Sequence, residues 1–413
     1  MSALKLTSDQ TDAYGKFASF IAHPTKKFMI LSGYAGTGKT TLVTHLIDQL
    51  PQTLKIAQLI NQDTKKWAVA LTATTNKAAE ALADITGEEV KTIASFLGLR
   101  VQTNYRTSAT ALVANARAVI QKDFIIFIDE ASYVDDNLLS LIMEWTRDCK
   151  IIFIGDPAQL TTVTSNNVPV WEQSYTKAEL TEVVRQAKGN PIIDLATSFR
   201  ETVRTGEFFS FTPDGYHVRH MPRDQFDAAV INEFSRPDWT DQDSKVLAWT
   251  NKTIISYNKA IRELVEGTPE LQAGDYAVCN KYICSGKRSI KTDERVMVNR
   301  ITPSNELGLE GWTVSVKEDT FFLPKSNEDK KTLLKKFEAQ EKFDRMEYIE
   351  NNWIDLRASY ACTINKAQGS TYDKVFIDLD DIKRCSDPNQ IARMLYVAVS
   401  RARNNVYLTG DIV

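Results

Sequence analysis

The stretch 31–41 reads L-S-G-Y-A-G-T-G-K-T-T and contains the spacing G-x-x-x-x-G-K-T. Glycines in this pattern let successive backbone N–H groups curl around a phosphate, the lysine adds positive charge between the β- and γ-phosphates, and the last hydroxyl can bind Mg²⁺. An apolar run precedes the loop, and apolar residues follow at helical spacing until Pro51, where we expect the helix to end. This order of strand, loop and helix predicts a site for a nucleoside triphosphate and Mg²⁺.

A glutamine upstream of the loop allows two interpretations. Thr7 and Gln10 fit a capping box for the first helix of the chain. The Gln10 amide can both donate and accept hydrogen bonds, so it is also suited to reading the edge of an adenine. The two roles are compatible with each other. The residues expected to bind the nucleotide are Gln10, Gly33, Ala35, Gly36, Thr37, Gly38, Lys39, Thr40, Thr41 and, further along the chain, Asp129.

Two more apolar runs, at 124–128 and 151–154, end in polar residues. Continuous apolar strands are typical of a parallel sheet covered on both faces, whose ligands lie at the carboxyl edge. At that edge we expect Asp129 and Thr40 to hold Mg²⁺. We expect Glu130 to polarise the attacking water and Gln159 to sense the γ-phosphate. The predicted fold class is α/β with a parallel sheet.

Composition excludes several kinds of protein. The 413 residues carry a net charge of −3, so any nucleic-acid site must be a local groove rather than a global basic surface. Five scattered cysteines suit a reducing compartment better than a disulfide framework. No apolar stretch approaches the length of a membrane span and no signal-peptide pattern opens the sequence, so we expect a cytoplasmic protein without membrane contact.

Two segments rich in hydroxyl groups favour contact with a sugar-phosphate chain. The first segment, 72–79, places Thr75 and Asn76 at the start of a helix, and the second, 92–97, contains Thr92 and Phe96. Hydroxyls and helix N–H groups can hold a nucleic-acid backbone without reading its bases. An N-capped helix without a ligand is the alternative interpretation of the first segment.

The second half of the chain adds another strand-helix pattern at 245–262, with Trp249 and Asn251 at its ligand edge. Simple core packing is an equal alternative for Trp249. Arg185 is a candidate clamp for a triphosphate. Arg401, late in the chain, is suited to reach across a cleft and stabilise transition-state charge.

Changes of pattern predict the domain boundaries. The polar stretch 98–112 indicates a small projecting hairpin, and 271–350 indicates short β-strands followed by one charged helix at 325–348. We expect a first domain at 1–175, a second domain formed by 176–270 and 351–413, and an inserted β-barrel at 271–350.

Nine motifs, spread over nearly the whole chain, resemble in order and spacing the superfamily 1 helicases of the RecD-like group, most of all the Dda-type helicases of tailed phages. They are L-T with Gln10, G-Y-A-G-T-G-K-T, T-A-T-T-N-K-A-A, T-I-A-S-F-L, I-D-E-A-S, G-D-P-A-Q-L, L-T-E-V-V-R, T-I-N-K-A-Q-G-S-T and Y-V-A-V-S-R-A-R. The sequence departs from the family at Ala94 and Asn365, where histidine is common, so the contacts of those histidines are not implied.

The resemblance implies two RecA-like domains with ATP between them and single-stranded DNA across their top. It assigns adenine recognition to Gln10 and γ-phosphate contacts to Gln159, Arg185 and Arg401. It also implies that 98–112 is a wedge that splits the duplex, with Tyr105 as the candidate tip, and that 271–350 is an SH3-like barrel.

Thr363 and Gln368 are placed along the DNA by the resemblance alone. With the residues proposed above, the set expected to contact nucleic acid is Thr75, Asn76, Thr92, Phe96, Tyr105, Trp249, Asn251, Thr363 and Gln368.

The predicted function is that of an ATP-dependent DNA helicase that translocates on single-stranded DNA, with the 5′→3′ direction implied only by the resemblance. The expected partners are single-stranded DNA and forks, with single-strand-binding and replication proteins as further candidates, and the expected active form is a monomer. Two alternatives remain open: a translocase that displaces bound proteins without unwinding, and an RNA-directed helicase. The intact Lys39, Glu130 and Arg401 argue against a non-catalytic binding module.

Overall fold

The computed structural model describes residues 6–60, 66–104, 109–116, 118–161, 168–182, 189–285 and 288–412. The chain divides into two compact units. Unit 1 comprises Met1–Val101, Leu112–Phe211 and Asp387–Ser400, and unit 2 comprises Gln102–Ala111, Thr212–Ser386 and Arg401–Val413. Among the described residues, no helix combines the length and the apolar character needed to cross a membrane.

The strands are numbered in chain order. Those of the first half are β1 (Phe28–Gly33), β2 (Ala68–Ala73), β3 (Val90–Thr92), β4 (Leu99–Asn104), β5 (Ala109–Ala114), β6 (Gln121–Lys122), β7 (Phe124–Asp129), β8 (Thr146–Arg147), β9 (Lys150–Gly155) and β10 (Thr176–Leu180). Those of the second half are β11 (Val218–His220), β12 (Ser244–Ala248), β13 (Tyr276–Cys279), β14 (Ile283–Ser285), β15 (Arg288–Ile290), β16 (Arg295–Glu306), β17 (Leu309–Val316), β18 (Asp319–Pro324), β19 (Leu356–Arg357), β20 (Ala361–Thr363), β21 (Tyr372–Asp378) and β22 (Ala402–Thr409).

The helices are numbered in the same way. The first seven are α1 (Ser8–Ala22), α2 (Lys39–Ile60), α3 (Asn76–Thr86), α4 (Ile93–Phe96), α5 (Asp136–Trp145), α6 (Pro169–Glu172) and α7 (Pro191–Thr205). The others are α8 (Arg223–Phe234), α9 (Asn251–Glu266), α10 (Asn327–Ala339), α11 (Phe343–Asn352), α12 (Ile364–Ala367), α13 (Leu379–Ile382) and α14 (Pro388–Ser400). A short 3₁₀ turn, Ala131–Tyr133, follows β7.

Unit 1 is built on a parallel sheet with the strand order β10-β1-β9-β7-β2-β3. Alternate side chains of β7 enter two separate cores. Phe127 packs with the side chains of α1 and α2, while Ile126 and Ile128 pack with those of α5. Because all three side chains are fully buried, the prediction of a parallel sheet covered on both faces is confirmed.

Helix α2 runs through Pro51 to Ile60, so the expectation that Pro51 ends it is wrong. A proline inside a helix lacks an N–H and its ring crowds the preceding turn, which disfavours continuation. The residues beyond it nevertheless have apolar surface to bury. Ala57 is 1 % exposed, and Leu54 packs against the same core as Leu50. This burial favours continuation of the helix and offsets the cost of the proline.

Unit 1 also extends beyond the predicted boundary at residue 175. Strand β10 pairs with β1 in parallel register, from Met29↔Thr176 to Gly33↔Leu180, and helices α7 and α14 belong to the same unit. The sequence pattern of a strand shows that it is buried but not which strand it pairs with. For this reason the sequence pattern does not show that β10 belongs to unit 1.

Unit 2 has its own parallel sheet, with the order β11-β22-β21-β12-β20. Its core contains Phe226, Phe234, Val246 and Phe376, all nearly or completely buried. The second parallel sheet agrees with the predicted α/β class. Side chains at the carboxyl ends of β12 and β20 lie at one edge of this sheet, because the two strands are parallel neighbours.

An antiparallel sheet with the order β18-β17-β16-β13-β19 occupies the region predicted as an insertion, and β19 extends it beyond residue 350. The single helix expected at 325–348 is wrong, because the structure has two helices, α10 and α11. Glu341 adopts a left-handed φ of 53° between them. The change of direction lets Phe337 of α10 and Ile349 of α11 pack in one cluster with Trp353.

Candidate functional site

The glycine loop connects the end of β1 to the start of α2, as the sequence predicts. Gly36 and Gly38 have φ values of 82° and 77°, a left-handed backbone conformation that residues other than glycine rarely adopt. Lys39 Nζ donates to the carbonyl oxygens of Gly33 (2.5 Å) and Tyr34 (2.9 Å), so the ammonium group lies over the loop. This arrangement is suited to holding the β- and γ-phosphates of a nucleotide.

Gln10 contacts the phosphate loop and also caps its own helix. The capping box is confirmed, since the Thr7 side chain accepts from the Gln10 N–H and the Gln10 side chain accepts from the Thr7 N–H. Gln10 Nε2 donates to the carbonyl of Thr37 (3.2 Å), and Gln10 is only 5 % exposed. The contact with adenine stays a prediction.

Asp129 is the last residue of β7, Glu130 follows it, and β9 separates β7 from β1. Asp129 Oδ1 accepts from the Glu130 N–H (2.9 Å), and Glu130 adopts a left-handed φ of 53°. Burial and the Glu130 charge raise the pKa of Asp129 to about 7, although Lys39 opposes the shift. The carboxylates are therefore close enough to each other and to Lys39 to influence their charges, as a phosphate-transfer site requires.

The donor set at this edge fits Mg²⁺. Asp129 offers carboxylate oxygens and Thr40 a hydroxyl, and Mg²⁺ prefers such hard oxygen ligands. Asp129 would also gain from a cation, because its carboxylate is disfavoured by burial and by the neighbouring Glu130.

Gln159 follows β9, in the loop 155–160. The residue is 4 % exposed and its Oε1 has no hydrogen-bond partner among the described protein groups. Buried polar atoms normally have a partner, so this oxygen is suited to accept one from a ligand or from an attacking water. The geometry is compatible with the predicted γ-phosphate sensor.

We expect Asp129→Asn to stabilise the folded protein while removing ATP hydrolysis. The pKa of about 7 in the folded state lies above the ordinary value of 3.8, so this carboxyl's contribution to stability is lost as pH rises from about 4 to 7. Asparagine removes the charge and keeps an oxygen to accept from the Glu130 N–H. Thermal unfolding at pH 8 should show about 1 kcal/mol of stabilisation, and less at pH 5. Equal destabilisation at both pH values, relative to an Asp48→Asn control on the exposed side of α2, would contradict this account.

Arg185 and Tyr105 lie outside the described residues. On either side of the segment with Tyr105, β4 and β5 pair in a two-stranded sheet. Arg401 is 6 % exposed in unit 2, and its Nη1 donates to the carbonyl of Ser370 (3.1 Å). Its contact with a γ-phosphate stays a prediction.

Threonines cap helices at the carboxyl ends of parallel strands in both units. In unit 1, the Thr75 hydroxyl accepts from the Ala78 N–H and that of Thr92 from the Ser95 N–H. In unit 2, Thr363 accepts from the Lys366 N–H, and Thr250, which sequence reasoning missed, from the Thr253 N–H. The N-capping interpretation is therefore confirmed for Thr75, and the DNA contact stays a prediction. Its position between the candidates Trp249 and Asn251 is a sequence signal that could have identified Thr250.

The other residues expected to contact nucleic acid have identifiable surroundings. Phe96 packs edge-on against Phe124 at 5.3 Å between ring centroids, so its ring has a core contact in unit 1. Asn76 begins α3, and Asn251 Oδ1 accepts from Arg357 Nη1 (2.8 Å). Gln368 is 6 % exposed and follows α12.

Trp249 is half-buried, and its backbone N–H donates to Asp381 Oδ2 (2.8 Å). Thr250 donates to the same carboxyl group through its N–H and its hydroxyl. Asp381, which is 2 % exposed, therefore fixes the turn that carries two of the candidate residues. No motif in the sequence pointed to this role.

Asp9 is a further residue that sequence reasoning missed. Its Oδ2 accepts from the N–H and the hydroxyl of Thr181 (2.8 and 2.7 Å) and from the N–H of Glu182 (3.0 Å). These hydrogen bonds lower the pKa of Asp9. They tie the first helix to the chain just before the segment that contains Arg185.

Two family models match the chain. A model described as an AAA domain matches residues 5–220, just over half of the sequence. The chain belongs to this AAA family. A second model, described as a UvrD-like helicase C-terminal domain, matches residues 358–409 of the same AAA protein.

Two relatives span nearly the full AAA protein. The ATP-dependent DNA helicase dda of Enterobacteria phage T4 is 26% identical over 458 residues, covering 97% of this chain and 98% of dda. An uncharacterized protein of Acanthamoeba polyphaga mimivirus is 19% identical over 476 residues, covering 94% and 96%.

Solved structures of Pif1 helicases share the fold of the AAA protein. The Bacteroides Pif1 helicase in complex with ADP-AlF3 and single-stranded DNA aligns with a TM-score of 0.53 and 15% identity, over 99% of this chain and 93% of that one. Pif1 in a structure describing two coordinating Pif1 helicases at forked double-stranded DNA aligns with a TM-score of 0.51 and 16% identity, over 99% and 93%. The family models and the relatives confirm the resemblance to Dda-type superfamily 1 helicases and the prediction of an ATP-dependent helicase enzyme. The Pif1 structures show the shared fold.

Proposed function

We propose that this helicase hydrolyses ATP at the phosphate loop to move 5′→3′ along single-stranded DNA and to separate the strands of a duplex. The observation that carries the proposal is the electrostatic cluster of Lys39, Asp129 and Glu130 beside the glycine loop. The relative named as the ATP-dependent DNA helicase dda supports DNA as the substrate. The Pif1 complex with ADP-AlF3 and single-stranded DNA gives further support for ATP and DNA as ligands.

Each catalytic residue has a distinct task in this proposal. Lys39 holds the phosphates, and Glu130 accepts a proton from the attacking water or orients it. Thr40 and Asp129 would hold Mg²⁺, which neutralises phosphate charge when bound. Gln159, Arg185 and Arg401 would contact the γ-phosphate, and Gln10 would read the adenine.

The capping threonines carry the DNA part of the proposal. Each places a hydroxyl beside helix N–H groups at the carboxyl end of a parallel strand, a combination suited to phosphate oxygens. Asn76, Asn251 and Gln368 would add polar contacts along the strand, and Trp249 a surface for stacking. Contacts of this kind grip the backbone, so we expect little sequence preference and a strong dependence on salt.

The finer architecture is also part of the proposal. The β4–β5 pair would present Tyr105 as the wedge that splits the duplex, and the antiparallel sheet of unit 2 would be an SH3-like insertion. The two parallel sheets would be the RecA-like domains. We expect the active form to be a monomer in the cytoplasm, with DNA forks as substrate and single-strand-binding proteins as candidate partners.

The test of the substrate is the rate of ATP hydrolysis with matched DNA and RNA oligonucleotides. We expect single-stranded DNA to raise the rate at least about tenfold, because DNA binding must promote the hydrolytic conformation. RNA of the same sequence should have a much smaller effect. Equal stimulation by RNA would favour an RNA-directed helicase, and no stimulation by either polymer would overturn the proposal.

Thr75→Val tests the DNA contact of a capping threonine. We expect the DNA concentration for half-maximal ATP hydrolysis to rise about fivefold, the effect of losing one hydrogen bond. Ser326→Ala is the matched control, because Ser326 caps α10 by accepting from the Asp329 N–H. Both variants lose a helix cap, so an equal effect on DNA affinity would show that the loss is structural.

A further inference from the structure

Helix α14 forms hydrogen bonds with the phosphate loop and with the loop that carries Gln159. The proposed function assigns no role to these hydrogen bonds. Tyr396, 2 % exposed, accepts a hydrogen bond from the Ala35 N–H in the phosphate loop (2.9 Å). The same hydroxyl donates to Asp156 Oδ2 (2.5 Å). Asp156 is 1 % exposed, and its Oδ1 accepts from the Ala158 N–H (2.9 Å). One buried hydroxyl therefore joins the phosphate loop to the loop that carries Gln159.

One turn earlier on α14, Arg393 holds the backbone of the Gln159 loop. Its Nη1 donates to the carbonyl oxygens of Pro157 (2.8 Å) and Gln159 (2.7 Å), and its Nε donates to Asn389 Oδ1 (2.8 Å). Residues three apart lie on one face of a helix, so Arg393 and Tyr396 act from the same side of α14. Gln159 Oε1 has no partner among the described groups, so the held backbone contributes to fixing where this side chain points.

Helix α14 is itself fixed in unit 1 through α7, against which it packs. Asn389 Nδ2 donates to the carbonyl of Val203 in α7 (3.2 Å). Arg200 of α7 stacks over the ring of Tyr34, with the guanidinium carbon 3.9 Å from the ring centroid. The two helices thus contact neighbouring residues of the phosphate loop, Tyr34 and Ala35.

We propose that Tyr396 is a positioning residue. Its hydroxyl holds the phosphate loop, the Gln159 loop and helix α14 together, so that the three move together when ATP binds. Arg401 follows α14 directly in the chain. The roles of Gln159 and Arg401 rest on the proposed function. Loss of the hydroxyl would leave the Asp156 carboxylate and the Ala35 N–H each without a partner for one hydrogen bond, and unmade bonds to buried charged groups are costly.

Tyr396→Phe removes only the hydroxyl and is the variant to test. We expect roughly a tenfold rise in the KM for ATP and in the dissociation constant of a non-hydrolysable ATP analogue, both measured without DNA. We also expect a lower kcat, because the Gln159 loop loses one of its two anchors on α14.

The matched control is Tyr257→Phe in unit 2. The half-buried Tyr257 hydroxyl donates to Asp378 Oδ2 (2.7 Å) and accepts from Arg223 Nη1 (2.6 Å). Tyr257→Phe therefore also removes a hydroxyl that donates to a carboxylate and accepts from an N–H group, at a position far along the chain from the nucleotide loops. Both variants should lose similar thermal stability, and only Tyr396→Phe should change the KM for ATP. Wild-type KM and kcat in a folded Tyr396→Phe protein would overturn the proposal and leave Tyr396 a purely structural residue.

Arg393→Lys keeps the test decisive if Tyr396→Phe does not fold. Lysine retains the charge but cannot reproduce the contacts of the guanidinium with two carbonyls and Asn389. Because Arg393 contacts the Gln159 loop and not the phosphate loop in the described structure, we expect a fall in kcat with little change in the KM for ATP. An unchanged kcat would overturn the coupling. A wild-type protein that binds ATP but ignores DNA would contradict the proposed function without touching these nucleotide measurements.

Discussion

Lys39→Ala is expected to lower the rate of ATP hydrolysis by about a thousandfold or more. The ammonium group lies over the glycine loop, where we propose that the phosphates bind. Among the residues that the structure describes, it donates only to the carbonyls of Gly33 and Tyr34, so the fold should survive its removal. ATP hydrolysis with saturating single-stranded DNA, and thermal unfolding of the same samples, measure the two effects separately.

Lys177→Ala is the matched control for this prediction. Lys177 also lies in unit 1 and its Nζ donates to a backbone carbonyl, that of Trp171 (3.0 Å), but it belongs to β10 and not to the phosphate loop. We expect full ATP hydrolysis in this variant. Retained turnover in Lys39→Ala would mean that the glycine loop is not the site of hydrolysis.

Glu130→Gln is expected to reduce kcat for ATP hydrolysis by about 10²- to 10⁴-fold, the usual contribution of a general base. In contrast to Lys39→Ala, it should leave ATP binding nearly intact, because the glutamine keeps the shape of the side chain and the phosphate loop is untouched. The left-handed conformation of Glu130 has a cost that a functional role would justify. Single-turnover hydrolysis and equilibrium binding of ATP to the variant test both parts.

The exposed Glu144 of α5 provides the control, since Glu144→Gln removes a carboxylate from the same unit without touching the loop. A Glu130→Gln variant that loses ATP binding and hydrolysis together would indicate a structural role for this carboxylate. Normal hydrolysis in the variant would require another residue to act on the water.

Local chemistry explains which features the sequence could predict. Some features depend only on residues that are close in the chain, so their sequence patterns predict them. They are the phosphate loop, the capping box at Thr7 and the apolar strand that ends at Asp129. Strand pairing and helix packing between distant segments leave no such pattern in the sequence. The pairing of β10 with β1, and the presence of α14 in unit 1, depend on contacts between segments far apart in the chain, so the sequence pattern alone does not predict them.

The role of Tyr396 was not predictable from the sequence for the same reason. Tyr396 stands in a recognised motif, but its bonds to Ala35 and Asp156 span more than two hundred residues, and apolar helix patterning predicts only core packing for it. Helix α2 continues through Pro51 because the burial of Leu54 and Ala57 beyond it offsets the cost of a proline inside a helix. At this position, tertiary contacts override helix propensity.

The unwinding of a short duplex that carries either a 5′ or a 3′ single-stranded tail, with ATP and Mg²⁺, tests the proposed helicase activity directly. Lys39→Ala serves as the control without hydrolysis. We expect only the 5′-tailed duplex to open, and only with the wild-type protein. If neither duplex opens although single-stranded DNA stimulates ATP hydrolysis, the protein is a translocase and not a helicase, and the proposed wedge at 98–112 is wrong.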